Sequence, residues 1–398
     1  MAKYRFGDIC KVLNGRAYKQ NELLASGKYP ILRVGNFFSS DRWYYSDMEL
    51  PEDKYCDYED LLFAWSASFG PKIWDGEKVI YHYHIWKLIP NDDIADKWYL
   101  YYWLRHSVNR LTAGTHGSVM AHMTKGDMEN QSIELPSLQT QRKISSILRT
   151  IDEKIHNNVA INNNLLEQIK TICTAWLSEY KPFDGVMPSD WVETPLSDIA
   201  EFISGYSYKG TELTDSTIAM ATIKNFDRKG GFKLDGYKEI IPSSKLKESQ
   251  HAELFDTLVA HTDLTQNAEV IGNAEPVMSK SGYDDIVFSM DLVKVLPKKD
   301  GVSKYLITAI LQDKKFKAHC LGYVNGTTVL HLSKKALPEY KLFLPSDFST
   351  LKPLDEVVTA LYKQVSSNIS ENTYLEELRE SLLPKLMSGE LDVSDIEI

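Results

Sequence analysis

The sequence predicts an α+β protein in which two similar α/β domains are separated by two long helices, and these helices form an antiparallel coiled coil with pseudo-twofold symmetry. Three observations in the 398 residues lead to this prediction: an internal repeat of long period, short apolar runs between polar turns, and two stretches of heptad spacing. A chain of this length is too long for one compact core, which favours two or three domains.

The second half of the chain resembles the first half in sequence. Residues recur in the same order about 190 to 210 positions later, and the offset grows slowly, as insertions in surface loops would produce. The clearest pairs are Asp8 and Asp198, Gly15 and Gly205, Lys19 and Lys209, Asn36 and Asn225, Asp60 and Asp256, and Pro136 and Pro345. We interpret the chain as a tandem duplication of one unit of about 200 residues.

Each copy begins with a β-rich domain. Runs such as YPILRVGNFF, KVIYHYHIWKLI, DIVFSMDLVKVL and TTVLHL are typical of strands, whereas KWYLYYWLRH and KYLITAILQ favour short helices. We expect domain 1 at residues 1–136 and domain 2 at residues 188–345. Residues 137–187 would hold the first long helix with a linker, and residues 346–398 the second long helix with a C-terminal tail.

A heptad seam follows each domain. Its residues alternate at spacings of four and three over about four heptads, which predicts a coiled coil. The alternative, an amphipathic helix packed on a globular body, usually carries a wider apolar stripe. The seam positions are Ile144, Leu148, Ile151, Ile155, Asn158, Asn162, Leu165, Ile169, Ile172 and Trp176 in the first helix, and Leu354, Val358, Leu361, Val365, Asn368, Asn372, Leu375, Arg379, Leu382 and Leu386 in the second.

Polar residues interrupt both seams at their centres. Asn158 and Asn162 interrupt the first seam, and Asn368 and Asn372 occupy the same register in the second. A core Asn can pair with another Asn and so fix the register at some cost in stability. Central pairs would meet in either helix direction. However, a second helix that returns alongside the first buries both seams within one chain, so we expect the antiparallel arrangement.

Composition excludes several classes of protein. Hydrophobic residues make up 43% and charged residues 25% of the chain, which is typical of a globular protein and not of a disordered or fibrous one. No apolar run reaches the length of a membrane span, and the N-terminus lacks the apolar segment of a secretory signal. The four scattered cysteines favour a reducing cytoplasm over a disulfide or zinc framework. The net charge of −10 is concentrated near the C-terminus, so charge alone does not identify a partner.

Motifs for catalysis are scarce. The sequence has no GxxxxGK[ST] or GxGxxG phosphate loop, no GxSxG elbow and no HExxH. Asp41, Glu52 and Lys54 loosely match a metal-dependent nuclease pattern, and His82 and His84 could hold a metal from one side of a strand. Such short patterns are common by chance, so we expect no catalytic residue and no metal site. A nuclease, and a coiled-coil scaffold without a DNA role, remain as alternative functions.

Polar, cationic and aromatic side chains in turn-like segments are candidates for nucleic-acid contacts. Arg and Lys bind phosphate or guanine, Asn and Gln bind adenine, and Ser and Thr bind base edges or backbone. A solvated surface explains any single candidate as well, but the loops differ between the copies, as two separate recognition specificities require. The candidates in domain 1 are Arg16, Tyr18, Lys19, Arg33, Asn36, Lys72, Thr115, His116 and Ser118. Those in domain 2 are Tyr206, Tyr208, Lys209, Lys224, Asn225, Arg228, Gln266, Asn267, Asn325 and Thr327.

Several sequence phrases recur in one known family. They are the opening Asp8-Ile9…Gly15…Lys19, the segment IELPSLQTQRKISSIL (residues 133–148) and the segment LRESLLPKLMSGEL (residues 378–391). With these phrases and its two-copy layout, the chain resembles the specificity subunits of type I restriction–modification systems. The start of the second helix, FLPSDFSTLKPLDEVV, departs from the family pattern because it lacks the Gln and adds Pro353.

The resemblance implies a function and a set of partners. Each β-rich domain would be a target-recognition domain that reads one half of a bipartite site in double-stranded DNA, and the coiled coil would set the spacer. Two modification subunits, which would bind S-adenosylmethionine, would dock on the helices, and restriction subunits would join them. This chain would be a non-catalytic cytoplasmic subunit without a cofactor or a membrane partner. Because the partners would supply much of the phosphate contact, it need not be basic.

Overall fold

The structure, a computed structural model, describes residues 1–38, 42–66, 68–112 and 123–396. The chain divides into two compact units, which we call unit 1 and unit 2. Unit 1 comprises residues 1–154 and 375–398, and unit 2 comprises residues 155–374. The β-rich part of unit 1 lies within predicted domain 1, and that of unit 2 lies within predicted domain 2.

Among the described residues of the first half of the chain, three sheets form around buried apolar clusters. The strands are β1 (Ala2–Arg5), β2 (Cys10–Asn14), β3 (Tyr29–Leu32), β4 (Tyr45–Ser46), β5 (Tyr55–Cys56), β6 (Leu61–Ser66), β7 (Ser68–Ile73), β8 (Val79–Tyr81), β9 (Ile85–Pro90) and β10 (Ser132–Leu135). The helices are α1 (Phe6–Ile9), α2 (Val34–Phe38), α3 (Lys97–Thr112), α4 (Lys125–Glu129) and α5 (Leu138–Leu177). The sheets have the strand orders β2-β9-β6-β7, β4-β3-β8-β5 and β1-β10, and only the β3–β8 pair among them is parallel.

The second half repeats this arrangement. Its strands are β11 (Trp191–Pro195), β12 (Ala200–Ser204), β13 (Ile218–Ala221), β14 (Lys238–Glu239), β15 (Thr257–Ala260), β16 (Thr262–Asp263), β17 (Ala274–Pro276), β18 (Asp285–Phe288), β19 (Leu292–Pro297), β20 (Val324–Asn325), β21 (Leu330–Leu332) and β22 (Lys341–Pro345). Its helices are α6 (Leu196–Ile199), α7 (Lys304–Leu311), α8 (Lys314–Leu321), α9 (Ala336–Glu339) and α10 (Lys352–Ser388). The sheets have the orders β12-β19-β15-β17, β14-β13-β18, β11-β22 and β16-β21-β20.

The two β-rich domains therefore share the topology of their large sheet and of the parallel pair beside it, and among the described residues domain 2 adds the sheet β16-β21-β20. The sheet β2-β9-β6-β7 corresponds to β12-β19-β15-β17, and the parallel pair β3–β8 corresponds to the parallel pair β13–β18. In each domain, the strand that opens the domain pairs antiparallel with the strand that precedes the long helix. The predicted duplication is confirmed, and the predicted short helices are present as α3 and α7.

The central asparagines of the two long helices meet in unit 2. Asn158 donates to Oδ1 of Asn372 at 2.8 Å, and Asn368 donates to Oδ1 of Asn162 at 2.7 Å. The earlier asparagine of α5 pairs with the later asparagine of α10, and the later one of α5 pairs with the earlier one of α10. The two helices therefore run antiparallel. Each amide satisfies a polar group that would otherwise be unpaired in an apolar seam, and this stabilises one register over its neighbours.

Away from the asparagines, the long helices also pack on the domain cores. In unit 1, Ile144 and Leu148 of α5 join Leu386 of α10 in the core of the domain, and Arg379 forms an ion pair with Asp152. In unit 2, α5 and α10 both contribute to the core in the same way. The helices are thus a coiled coil around the asparagines and amphipathic core helices elsewhere, so both interpretations of the apolar stripe apply.

The two long helices begin differently. Gln141, in the first turn of α5, is buried; its side-chain oxygen accepts from the backbone N–H of Asp96 at 2.9 Å, and its nitrogen donates to two backbone carbonyls. The equivalent position before α10 is the buried Leu351, which ends a 3-10 turn at Phe348–Leu351. The missing Gln is therefore replaced by apolar packing, and α10 still begins at Lys352, next to Pro353.

One predicted strand is only partly a strand. In YPILRVGNFF the strand β3 ends at Leu32, and the remainder forms the helix α2. A run of β-branched and aromatic residues does not distinguish a strand from a short helix on its own, because both can bury an apolar side. In the part of the chain described here, no helix is both long and apolar enough to cross a membrane.

Candidate nucleic-acid interface

A repeated glycine follows the first strand of the large sheet in each domain. A Cβ atom on Gly15 would lie 2.4 Å from the carbonyl oxygen of His82, and one on Gly205 would lie 2.0 Å from that of Ser289. Both distances are far below any contact that a side chain can make. Glycine recurs here because two backbone segments cross at this point and leave no room for a Cβ atom.

The residue after this glycine differs between the domains but in both donates a hydrogen bond to a glutamate six residues later. In domain 1, the Arg16 guanidinium donates two hydrogen bonds to Glu22, at 2.8 and 3.0 Å, and so lowers the pKa of Glu22 to about 2. In domain 2, the hydroxyl of Tyr206 donates to Glu212 at 2.8 Å. Tyr206 is buried, so it presents no surface to a nucleic acid. Arg16 and Tyr206 therefore stabilise their own domains.

The repeated asparagine is a loop-closing residue in both copies. In domain 1, Oδ1 of Asn36 accepts from the backbone N–H of Arg33 at 3.4 Å, and Nδ2 donates to the carbonyl of Arg42 at 2.9 Å. Asn225 makes the same two kinds of bond across its own loop, at 2.9 and 2.8 Å, and is fully buried. These amides are used within the protein, which argues against the expected contacts with adenine.

A lysine–aspartate pair also recurs at the centre of the large sheet. Lys87 lies 2.6 Å from Asp60, and Lys294 lies 3.5 Å from Asp256. Each lysine also donates to a backbone carbonyl, which satisfies a second of its protons. The recurrence of Asp60 as Asp256 in the sequence is thus explained by a structural ion pair in the framework.

The candidate surface of domain 1 combines guanidinium groups and one aromatic ring. The guanidinium carbons of Arg33 and Arg42 lie 5.1 and 5.2 Å from the ring centroid of Tyr44, within the range of cation–π attraction. Together with Gly35 and Asn36, these residues line a groove of about 290 Å³. The ring orients both guanidinium groups, which suits them to phosphate or to a guanine edge.

Two other candidates in domain 1 pack on neighbouring side chains. Lys72 lies 3.7 Å from Asp75 and 5.5 Å from the ring centroid of Trp74. Tyr18 stacks on His82 with ring centroids 6.3 Å apart. Lys72 remains partly exposed, so it stays a candidate for a phosphate contact, whereas Tyr18 mainly completes the framework.

The candidate surface of domain 2 consists of loops that are bonded to one another. The Gln266 amide donates to the carbonyl of Thr327 at 2.7 Å, which joins the loop after β16 to the loop after β20. Arg228, from a third loop, lies 3.1 Å from Glu269. Three segments that are far apart in the sequence therefore form one surface.

The remaining candidates vary in exposure. Tyr208 is half-buried against an apolar cluster. Those at the surface are Lys19, Lys209, Lys224, Asn267, Asn325 and Thr327. Thr115, His116 and Ser118, and Asp41 of the nuclease pattern, lie outside the described residues.

The alternative patterns find no support in the geometry. His82 and His84 lie in the turn between β8 and β9, so the expectation that they project from one side of a strand is wrong. Burial lowers the pKa of His82 to about 4. Across the described residues, His, Cys, Asp and Glu form no group of three suited to a metal ion. Glu52 forms a surface ion pair with Lys78 at 2.8 Å.

The sequence did not single out two residues of these surfaces. Tyr44 lies between two guanidinium groups, and Leu264 is 69% exposed at the tip of a loop. Aromatic and leucine residues are usually buried, so no local sequence signal identifies the ones that are not.

Comparisons with known proteins agree with the fold. The family model for the type I restriction modification DNA specificity domain matches residues 1–170. The type I restriction enzyme MjaVIII specificity subunit of Methanocaldococcus jannaschii is 23% identical over 352 residues, which cover 85% of this chain and 80% of that protein. The HindI specificity subunit of Haemophilus influenzae is 22% identical, with coverage of 71% and 74%.

A solved structure shares the fold over nearly the whole chain. The crystal structure of the type I restriction–modification S subunit from M. genitalium matches with a TM-score of 0.55 and 16% identity, over 97% of this chain and 95% of that one. The family model over residues 1–170, the relatives and the shared fold agree with one another: the chain is similar in sequence and in fold to the specificity subunits of type I restriction–modification systems.

Proposed function

We propose that this chain is the non-catalytic DNA-specificity subunit of a type I restriction–modification complex, in which each domain reads one half of a bipartite site in double-stranded DNA. One observation carries the proposal. The two domains repeat their glycine crossing, their loop-closing asparagine and their internal ion pair, but they present different exposed loops. A repeated framework with two different surfaces is what two independent specificities require.

The proposed DNA-contacting residues are the exposed members of the two surfaces. In domain 1 we assign phosphate or guanine contacts to Arg33, Arg42 and Lys72, whose cationic groups can bind either. We add Tyr44, whose ring lies beside both guanidinium groups, and Lys19, which is exposed. In domain 2 the corresponding residues are Lys209, Lys224, Arg228, Gln266, Asn267, Asn325 and Thr327. The buried Tyr206 and Asn225 are left out.

The long helices would set the spacer between the half-sites and dock two modification subunits. The asparagine pairs support a fixed register, which a ruler requires. Val159 and Ile161 of α5 are exposed and offer apolar surface for docking. The modification subunits would bind S-adenosylmethionine, and restriction subunits would complete the assembly. The four free cysteines are buried, which suits the proposed cytoplasmic location.

An exchange of domains tests the proposal. Residues 188–345 are replaced with the corresponding segment of a relative, and the complex is reconstituted with its modification subunits. The sequence preference is then measured by selection from random DNA. We expect one half-site to change completely and the other to remain, because each domain has its own framework.

The reciprocal exchange of residues 1–136 is the matched control and should change only the other half-site. Simultaneous change of both half-sites in either chimera would contradict the model of two independent readers. Equal affinity of the unexchanged complex for all sequences would contradict the DNA-specificity function as a whole.

A further inference from the structure

The loop after β16 in domain 2 has an internal frame of hydrogen bonds. The carboxylate of Asp263 is almost completely buried and accepts from the backbone N–H of Thr265 at 2.7 Å, from the hydroxyl of Thr265 at 2.8 Å and from the backbone N–H of Val270 at 2.8 Å. One side chain thereby joins the beginning of the loop to its end. The segment between them is held in one conformation before any ligand arrives.

A lysine of α8 also stabilises this loop, through hydrogen bonds to its backbone carbonyls. Nζ of Lys317, on α8, donates to the carbonyl of Glu269 at 3.0 Å, to the carbonyl of Ile271 and to Oδ1 of Asn273 at 2.8 Å. Ala268 has a φ of +48°, in the left-handed region that non-glycine residues rarely adopt. Such a conformation persists only where the surrounding bonds enforce it. The Asp263 and Lys317 contacts provide that enforcement.

Two side chains on this rigid loop project to the surface without serving the frame. Leu264 is 69% exposed. Asn267 is exposed, and within the part of the chain that the structure describes its amide has no hydrogen-bond partner. Gln266, between them, is held by Thr327. An exposed leucine and an uncommitted amide on a preorganised loop lose little conformational entropy when they bind, which favours a recognition role over a solvated loop.

The chemistry of these two groups matches one base pair. An asparagine amide can bind both N6 and N7 of adenine in the major groove, and an apolar side chain contacts the C5-methyl group of thymine. Arg228 lies beside the loop, 3.1 Å from Glu269, and can reach a phosphate. By contrast, the groove of domain 1 presents two guanidinium groups, which suit guanine or phosphate.

We infer that the loop of residues 263–270 is a base-reading element of domain 2 and that it reads adenine–thymine pairs, with Asn267 binding adenine and Leu264 contacting a thymine methyl group. This inference rests on the proposed function and specifies the chemistry of one half-site. Asp263 and Lys317 are positioning residues, because they act through the loop and not on the base.

The test uses the complex reconstituted from this chain and its modification subunits. Selection from random DNA identifies the half-site that changes when domain 2 is exchanged. Asn267→Ala should reduce affinity for the selected site about 5- to 150-fold and relax the preference for adenine at one position of that half-site. Leu264→Ala should reduce affinity about fourfold, as expected for the loss of contact with one methyl group.

Base analogues separate direct reading from a general loss of folding. Replacing the contacted adenine with 7-deazaadenine removes N7, and replacing the contacted thymine with uracil removes only the methyl group. The unmodified complex should lose affinity with each analogue. The Asn267→Ala complex should be insensitive to the first and the Leu264→Ala complex insensitive to the second.

Two control variants match the test residues in type and exposure. Ile241→Ala removes another exposed aliphatic side chain of domain 2, and Asn163→Ala removes an exposed amide from α5. Neither should alter base preference. If both loop variants kept the parental base preference while the complex remained sequence-specific, the inference would be overturned and the proposed function would stand. A complex without any sequence preference would overturn both.

Discussion

The two β-rich domains share the strand pairing of their large sheet but carry different side chains at equivalent positions. In the large sheet, Leu62 pairs with Lys72, and the equivalent Leu258 pairs with Glu275. Lys72 is partly exposed, whereas Glu275 is buried and accepts a hydrogen bond from the backbone N–H of Gly231 at 2.7 Å. One strand position therefore carries a surface cation in one copy and an internal loop anchor in the other.

This difference shows how duplication can produce two specificities from one fold. The glycines at the crossing, the loop-closing asparagines and the lysine–aspartate pairs keep the backbone of the two copies alike. The loops can therefore carry different side chains without a change of fold. Domain 1 presents Arg33 and Arg42 around Tyr44, and domain 2 presents an apolar and amide loop that internal anchors hold. The recurring glycines, asparagines and lysine–aspartate pairs are framework, and the exposed loop residues that differ between the copies are the main candidates for recognition.

The largest effect is expected at the repeated glycine. Gly205→Ala should destabilise unit 2 by about 4 kcal/mol or prevent its folding, because the new Cβ would lie 2.0 Å from the carbonyl oxygen of Ser289. Gly15→Ala should have a similar effect on unit 1. Gly210→Ala is the control, since nothing lies within 4 Å of its Cβ position. Denaturant unfolding measures all three, and equal stability of Gly205→Ala and Gly210→Ala would disprove the shared crossing.

The next effect compares the two ion pairs. Lys294→Met should cost about 3 kcal/mol, because it removes the more buried of the two lysines that pair with the Asp256 carboxylate and leaves only Lys304, at 3.7 Å; the Lys294 and Asp256 side chains are only 7% and 8% exposed. Lys87→Met should cost about 1 kcal/mol, since the Lys87 and Asp60 side chains are 17% and 24% exposed and water can replace the lost contact. Unfolding free energies at neutral pH test this order. A larger loss of stability for Lys87→Met than for Lys294→Met would show that burial does not determine the cost.

Glu275 should make the stability of unit 2 depend on pH. Burial raises the pKa of its carboxyl from an ordinary value of 4.5 to about 7, although the Gly231 N–H opposes this. The folded state therefore binds the proton more tightly than the unfolded state. Its stabilising contribution is complete below about pH 4.5 and is lost as the pH rises through 7, by about 3 kcal/mol.

The matched variant Glu275→Gln isolates this contribution. The difference in unfolding free energy between the parent and Glu275→Gln should change between pH 5 and pH 8, while Lys72→Gln, at the equivalent position of domain 1, should show no such change. A pH-independent difference for Glu275→Gln would mean that this carboxyl is not desolvated in the folded protein.

The smallest effect concerns the loop-closing asparagines. Asn225→Ala should cost about 2 kcal/mol and Asn36→Ala about 1 kcal/mol, because Asn225 is fully buried and its loss leaves the buried backbone N–H of Thr222 without its partner. Thermal unfolding measures both. Neither variant should change the adenine preference of the reconstituted complex at any position. A specific loss of adenine discrimination in Asn36→Ala would return that residue to the reading surface.

Sequence patterns sufficed wherever short-range periodicity or repetition carries the information. The spacing of Asn158, Asn162, Asn368 and Asn372 predicted that these residues meet, and the structure confirms it. The duplication predicted two domains of one topology, which is also confirmed. By contrast, the strand expected over YPILRVGNFF ends at Leu32, because local composition does not specify which partner an apolar run will pack against.

Local sequence patterns could not show which candidate residues are exposed, for the same reason. Among the polar candidates, Asn225 and Asn267 have the same side chain, but the first is buried in its loop and the second is exposed. Their different surroundings come from contacts with residues distant in the sequence, such as the bond between Gln266 and Thr327. The amino-acid sequence by itself determined the duplication, the seams and the similarity to one family. Only the tertiary structure decided which amides, cations and leucines remain available to a ligand, because burial depends on long-range packing that no local pattern encodes.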